Sequence, residues 1–316
     1  MNACLFDGRA VRLDRAYPEP VPTAGEVRVR VLLAGVCRTD LEIVKGYMRF
    51  AGVLGHEFVG VAMDSPLAGR RVVGEINCPC GGCDLCAAGL PTHCRRRTVL
   101  GIAGRDGAFA ERLILPEKNL HEVPDSVGDR AAVFAEPLAA AIQIGRQVEL
   151  KPGTRVARTG GRLGQLAAQV LRAWRMAPMV VGKSDAKLDI LASLGIACIH
   201  ADNARPARNA AVVVECTGTA DGLAMAMRFV RPRGTIVLKS TVADTAGLDL
   251  APLVVDEITV VGSRCGPMAD AVAMLAAGQV QVEPLITAEY RLDDAPQALE
   301  AAARPEAIKV LIRCSG

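Results

Sequence analysis

Val53-Leu54-Gly55-His56-Glu57-Phe58-Val59-Gly60 places a His-Glu pair after a glycine and at the head of a short apolar, strand-like run. Upstream stands Gly35-Val36-Cys37-Arg38-Thr39-Asp40, and downstream Ala135-Glu136-Pro137-Leu138. Together these stretches offer a thiolate, an imidazole and two carboxylates, the ligand types a divalent zinc accepts in a tetrahedral site. Taken singly, Cys37 reads more readily as a buried structural thiol and His56 as a satisfied core histidine. A second metal motif in the same chain weighs against that plainer reading.

That motif is Cys80, Cys83, Cys86 and Cys94, in the run Cys-Gly-Gly-Cys-Asp-Leu-Cys-(seven residues)-Cys. Four thiolates at this spacing fold a loop around one tetrahedral zinc with no open position, which is the structural kind of site. An iron–sulfur cluster uses similar spacings and is the alternative. Cys78 falls outside the pattern. Around both motifs the chain reads as β-rich. Glu26-Val27-Arg28-Val29-Arg30-Val31 alternates with period two, the pattern of a half-buried strand, and delivers Cys37 at its end. Arg70 to Glu75 is another short strand, and Gly101 to Pro124 continues the β character.

The pattern changes after a helical stretch that opens at Glu136-Pro137-Leu138 and a turn at Lys151-Pro152-Gly153. From Arg155 strands alternate with amphipathic helices, the signature of a doubly wound parallel sheet that binds ligands at the carboxyl ends of its strands. Leu163, Leu166, Ala167, Val170, Leu171 and Trp174 mark one helix face. Strands are expected at 178–181, 197–200, 211–215, 234–238 and 258–262, with a helix at 185–194. A phosphate-binding turn of the form Gly-x-Gly-x-x-Gly should follow the first strand. The chain has Thr159-Gly160-Gly161-Arg162-Leu163-Gly164 there, with Thr159 at the first glycine position or one residue lost between Gly160 and Gly161. The strand before it, Arg155 to Thr159, is polar for the centre of a buried sheet. Roughly 20 positions after the turn an acidic residue would hold the ribose of NAD, whereas a basic one suits the 2′-phosphate of NADP. Gly182-Lys183-Ser184 stands there, so NADP is expected; a solvated Lys183 in an NAD enzyme is the plainer alternative.

The metal stretches resemble the zinc-dependent medium-chain alcohol dehydrogenases, and most closely their polyol, threonine and glucose dehydrogenase branch, in which Glu-Pro-Leu supplies a ligand and Cys-x-Thr-Asp opens the site. The resemblance covers nearly the whole chain and includes Gly107-Ala108-Phe109-Ala110-Glu111. It implies a catalytic zinc on Cys37, His56 and Glu136, with Glu57 bound to it directly or lying beside it, and a structural zinc on Cys80, Cys83, Cys86 and Cys94. Thr39 would pass the substrate proton outward, and Glu42 stands where several members carry a histidine at the end of that relay. Thr217, Gly218, Ser263 and Arg264 match positions near the nicotinamide and pyrophosphate. The implied architecture is an α/β chain of two domains. A GroES-like catalytic domain takes residues 1–137 and 280–316, with the zinc lobe at 78–97, and a Rossmann domain takes residues 138–279. Strands at 284–288 and 307–312 would return to the first domain. The implied reaction is hydride transfer between a secondary alcohol, polyol or sugar and NADP or NAD, in a homodimer or homotetramer joined near residues 258–262. The altered glycine turn leaves open a non-redox zinc enzyme on the same fold, and a non-enzymatic binding protein on the same scaffold is a third expectation.

Composition narrows the classes. With 51% hydrophobic and only 3% aromatic residues the chain is globular and lacks stacking platforms for single-stranded nucleic acid. The balance of 37 basic against 34 acidic residues, a net charge of +3, makes no field that would recruit a polyanion. The N-terminal residues lack a charged segment followed by an apolar one, and the Ala-rich run from 131 to 144 is broken by Glu136, Pro137 and Gln143. The expectation is a cytoplasmic protein with no membrane or nucleic-acid partner, whose cysteines are reduced.

Overall fold

The structure is a computed structural model describing residues 1–151, 155–159, 161–219, 221–241 and 247–315, the segment 155–159 by its backbone. The chain divides into two compact units. One comprises Met1–Glu136, Met268–Ala277 and Leu285–Gly316; the other comprises Pro137–Pro267 and Gly278–Pro284. Among the described residues no helix is long and apolar enough to cross a membrane.

The first unit is built on the strand Glu26–Val36. Its alternation puts Val27, Val29 and Val31 into the core while Arg30 faces out, so one face of the strand is dry. It pairs antiparallel with Glu57–Ala62, Arg112–Pro116 and Lys309–Arg313. Arg71–Gly74 and Leu120–Glu122 extend the sheet on one side, and Ile286–Arg291 extends it on the other by pairing parallel with Lys309–Arg313. The first of the two returning strands therefore begins later than the sequence suggests, because Glu283–Leu285 forms a 3-10 turn in which Pro284 cannot donate to a ladder. The cysteine-rich loop leaves through Asn77–Cys78 and returns through Thr98–Leu100, which pair antiparallel.

One position in this sheet requires glycine. Gly35 sits opposite both Glu57 and Leu311, and a Cβ there would lie 2.5 Å from Glu57 Oε2, 2.8 Å from Val133 and 3.3 Å from Lys309. The gap left by its missing side chain is filled by the Glu57 carboxylate, the Val133 side chain and the aliphatic stem of Lys309. Close packing of this kind leaves no slack for an added methyl.

The second unit is a six-stranded sheet, every neighbouring pair parallel, in the order Ala197–His200, Ala177–Gly182, Arg155–Thr159, Ala210–Glu215, Val230–Leu238, Thr259–Gly262. The strand order reverses between Arg155–Thr159 and Ala210–Glu215, so the switch point of this doubly wound fold lies at their carboxyl ends. Arg162–Ala173 buries Leu166, Ala167, Val170 and Leu171, as its 3.6-residue spacing requires. Val181, Val213, Phe229, Val230 and Ile236 form one core cluster, while Ala168, Val180, Leu188, Leu191 and Ile196 form another.

Candidate active site

The site in the first unit starts at the end of Glu26–Val36, where Cys37 caps the helix Arg38–Val44. The Cys37 backbone N–H donates to Asp40 Oδ2 at 2.8 Å, a capping arrangement written into the sequence as an acid three residues into the helix. Asp40 is 0% exposed, and its other oxygen lies 3.2 Å from His56 Nδ1. An ionised carboxylate only accepts, so Nδ1 carries the ring proton and Nε2 is left as the lone-pair donor. Asp40 thus positions two of the candidate ligands at once.

Cys37, His56 and Glu57 each bring one ligand atom within 4.8 Å of the others. Burial would lower the pKa of His56, but the charges of Asp40 and Cys37 outweigh it and hold the imidazole well above its usual value. The groups around the ring therefore favour a cation at this position, either a proton or a metal. Glu57, 1% exposed, gives Oε2 to the ammonium of Lys309, which is itself 7% exposed and lies 5.6 Å over the Phe134 ring. Its other oxygen, Oε1, is buried without a hydrogen-bond partner. A thiol, an imidazole nitrogen and a carboxylate oxygen converging in this way suit a zinc with an open position.

The remaining residues expected around this centre are placed as follows. Thr39 Oγ1 lies 3.7 Å from Cys37 Sγ. Glu42 is engaged by Arg38 at 2.8 Å and Lys45 at 3.3 Å on the same helix. Glu136 is half-buried in the first turn of Ala135–Gln147 and is not a member of the three-residue group.

The four lobe cysteines converge as well. Cys83 lies 3.5 Å from Cys86 and 3.7 Å from Cys94, and Cys94 lies 3.5 Å from Cys80, sulfur to sulfur. All eleven cysteines are free, and these separations are far too long for a disulfide. A tetrahedron with zinc–sulfur bonds of about 2.3 Å has edges of roughly 3.8 Å, so one ion fits between these sulfurs whereas a multi-iron cluster does not. The Gly82 backbone N–H, followed by the Cys94 thiol, brings Cys80 down to about 6, which supplies thiolate at neutral pH. Cys78 stays outside the group; its buried thiol lies 3.8 Å from Asn119 Nδ2, which also ties Glu75 and Asn77 through their carbonyls.

In the second unit Gly161, with φ of 92°, caps the helix Arg162–Ala173 beyond the strand Arg155–Thr159. A Cβ at Gly161 would lie 1.7 Å from the Cys216 carbonyl oxygen, so the turn passes against the end of the neighbouring strand and only glycine fits. Arg162 and Leu163 open the helix and Gly164 is buried within it, whereas Gly160 and the Thr159 side chain lie outside the described residues. Gly182 ends its strand, Lys183 is exposed, and Ser184 caps the helix Asp185–Ser193. The Lys183 carbonyl lies 3.2 Å from His200 Nε2 at the end of the adjacent strand. Thr217 donates its backbone N–H, at 2.6 Å, and its hydroxyl, at 2.5 Å, to Glu215 Oε1. Gly218, in the left-handed region at φ 69°, donates its N–H to Ser240 Oγ at 2.8 Å. Ser263 N–H bonds the Leu238 carbonyl at 3.0 Å, and Arg264 follows it, exposed.

Sequence reasoning gave no role to Asp40, Lys309 or Glu215. Asp40 was recoverable from its capping position. Lys309, 252 residues from Glu57, was not, because a buried lysine resembles a surface one until its partner is known.

Residues 23–125 match the family profile described as the alcohol dehydrogenase GroES-like domain, and residues 163–279 match that of the zinc-binding dehydrogenases. The chain is 31% identical to an L-threonine 3-dehydrogenase of Streptomyces coelicolor over 93% of its own length and 94% of the relative's. It is 29% identical to a sorbitol dehydrogenase of Halalkalibacterium halodurans over 93% of each. A putative zinc-binding dehydrogenase of Sinorhizobium meliloti 1021, solved bound to NADP, superposes with a TM-score of 0.87 at 26% identity, covering 99% of this chain and 98% of that one. The chain belongs to the zinc-dependent medium-chain alcohol dehydrogenase family, on the branch of the polyol and threonine dehydrogenases, and is an oxidoreductase.

Proposed function

We propose that this protein transfers a hydride between a secondary alcohol, polyol or sugar and a nicotinamide cofactor, with NADP preferred. The observation that carries the reading is the convergence of the Cys37 thiol, the His56 ring and a carboxylate oxygen of Glu57, whose Oε1 is buried without a hydrogen-bond partner. These residues would hold the catalytic zinc, with Glu136 as a further ligand, while Cys80, Cys83, Cys86 and Cys94 would hold a structural one. A zinc bound there supplies Lewis acidity toward the substrate oxygen and makes its proton easier to lose. Asp40 keeps the His56 ring in one tautomer. Thr39, beside Cys37, takes the proton from the substrate hydroxyl, and Glu42, one-third exposed, passes it to water. The sorbitol dehydrogenase relative supports a polyhydroxylated substrate.

The dinucleotide is assigned to the switch point, its pyrophosphate against the helix that opens at Gly161. Lys183 and Ser184 are assigned to the 2′-phosphate, and Lys183→Asp is expected to weaken NADPH binding about tenfold or more while leaving NADH no weaker. An unchanged ratio of the two dissociation constants would remove Lys183 from that role. Purified protein assayed for metal and titrated with each nucleotide should contain about two zinc ions per chain and bind NADPH the more tightly. Two zincs with no binding of either nucleotide would sink the assignment.

A second copy of the chain is assigned to the open edge of the six-stranded sheet. Thr259–Gly262 is the last strand in the order, Val260 is exposed, and Val254 and Val255 on the preceding helix are 77% and 79% exposed. Among the described residues this edge has no partner strand, and an exposed edge of this kind is a template for strand pairing. Val260→Lys is expected to shift the sedimentation mass toward one chain; a wild-type mass of one chain would discard the pairing.

A further inference from the structure

We infer that Lys239 is a positioning residue of the dinucleotide site, holding the turn that follows the last strand of the sheet; this rests on the cofactor reading above. Lys239 stands just beyond the carboxyl end of Val230–Leu238, with its backbone N–H on the Glu215 carbonyl at 2.9 Å. Its ammonium donates to the Ala140 carbonyl at 2.6 Å, to Ser263 Oγ at 3.0 Å and to the Arg264 carbonyl at 2.9 Å. The first lies on the helix Ala135–Gln147, and the other two lie on the turn after Thr259–Gly262. A lysine has three donors, and this one uses them to bridge a helix and a turn.

The arrangement belongs to a larger set of ties at the carboxyl ends of three adjacent strands. Glu215 ends one strand and holds Thr217; Ser240, next to Lys239, holds Gly218. The turn at 262–266 is otherwise fastened to the helix by Gln147, whose Nε2 donates to the Gly262 carbonyl at 2.9 Å, and by the close approach of Gly266, where a Cβ would lie 1.9 Å from the Ala139 carbonyl oxygen. Between those two points Ser263 and Arg264 are held by Lys239 through charge-assisted bonds, and Arg264 is exposed at the end of the sheet where ligands of this fold bind. Without the ammonium the turn loses its bonds at Ser263 Oγ and the Arg264 carbonyl. Ordering it would then fall to the cofactor, at the expense of affinity and of hydride alignment.

The test uses the zinc-loaded full chain and follows NADPH and NADH binding by fluorescence, with melting temperature and steady-state kinetics on the same samples. Lys239→Met is expected to raise the dissociation constant for the preferred nucleotide about tenfold or more, the size set by losing charge-assisted bonds. The rate at saturating cofactor should fall as well. Lys239→Arg, which keeps the charge and several donors, should recover part of the loss, and Ser263→Ala, which removes one bond, should show a smaller rise in the same direction. Nucleotide affinity and saturated rate within about twofold of wild type would overturn the inference, even if the melting temperature fell, because a purely structural lysine would behave in that way. Should Lys239→Met fail to fold, Lys239→Gln decides: a weaker affinity that Lys239→Arg partly recovers supports the assignment, and an affinity within about twofold of wild type overturns it. Failure of the wild type to bind either nucleotide is read in its own arm and would bring down the cofactor reading and this inference together.

Discussion

Lys309→Met is expected to lower the folding stability of the zinc-free protein by about 3–5 kcal/mol, the usual consequence of removing one partner from a buried ion pair. The side chains are similar in volume, so the loss is electrostatic. Glu57 would keep a buried carboxylate with Oε1 already lacking a partner and Oε2 newly deprived of one. Urea denaturation of metal-free protein measures the difference, and a loss below about 1 kcal/mol would show that the pair contributes little. Lys309→Met combined with Glu57→Gln should regain much of the stability, because a neutral amide removes the stranded charge. Adding zinc should narrow the gap between wild type and Lys309→Met. The metal is itself a cation facing Glu57 within the Cys37–His56–Glu57 group, and losing the neighbouring ammonium removes a repulsion from the metal. The same variant is therefore expected to bind zinc at least as tightly as wild type, a readout independent of turnover.

Cys94→Ser should have the second large effect. Cys94 is fully buried at the centre of the four-sulfur group, within 3.5 Å of Cys80 and 3.7 Å of Cys83. The lobe has little else to hold it, since its helical turns Asp84–Ala87 and Pro91–His93 bury no residue of their own. Structural zinc in such loops contributes on the order of 10 kcal/mol to the order of the segment it closes. The variant should contain about one zinc per chain in place of two, and residues 79–97 should become the first site of proteolytic cleavage. A strong chelator applied to the wild type should produce the same cleavage. Retention of two zincs by Cys94→Ser would show that the four cysteines do not form one metal site.

How much of this was legible beforehand depends on the range over which each feature is encoded. The cysteine lobe is local: all four sulfurs lie within fifteen residues, so spacing alone brought them together. The doubly wound sheet is encoded by alternation along the chain, and its strands at Ala177–Gly182, Ala197–His200 and Ala210–Glu215 fall within a residue or so of where the pattern put them. Val230–Leu238 begins four residues before the expected 234, because the Arg231-Pro232-Arg233 stretch reads as a break yet the strand runs through it with a register shift opposite Ala210–Val212. The need for glycine at 161 was read from a phosphate-binding motif, whereas the structure adds a second reason, the Cys216 carbonyl beneath it.

By itself the sequence determined the two candidate metal-ligating motifs, the β-rich and α/β halves, and the family, because each rests on residue types at short, countable separations. Only the tertiary structure decided what surrounds the ligands: that Lys309 occupies one oxygen of Glu57, that Asp40 orients His56, that Gly35 makes room for the pair, and that Lys239 bridges a helix to a turn. The reason is physical. A ligand motif is a property of neighbours along the chain. The electrostatics of a buried site depend on which charges other strands bring within a few ångströms, and that is set by sheet register, which no local pattern specifies.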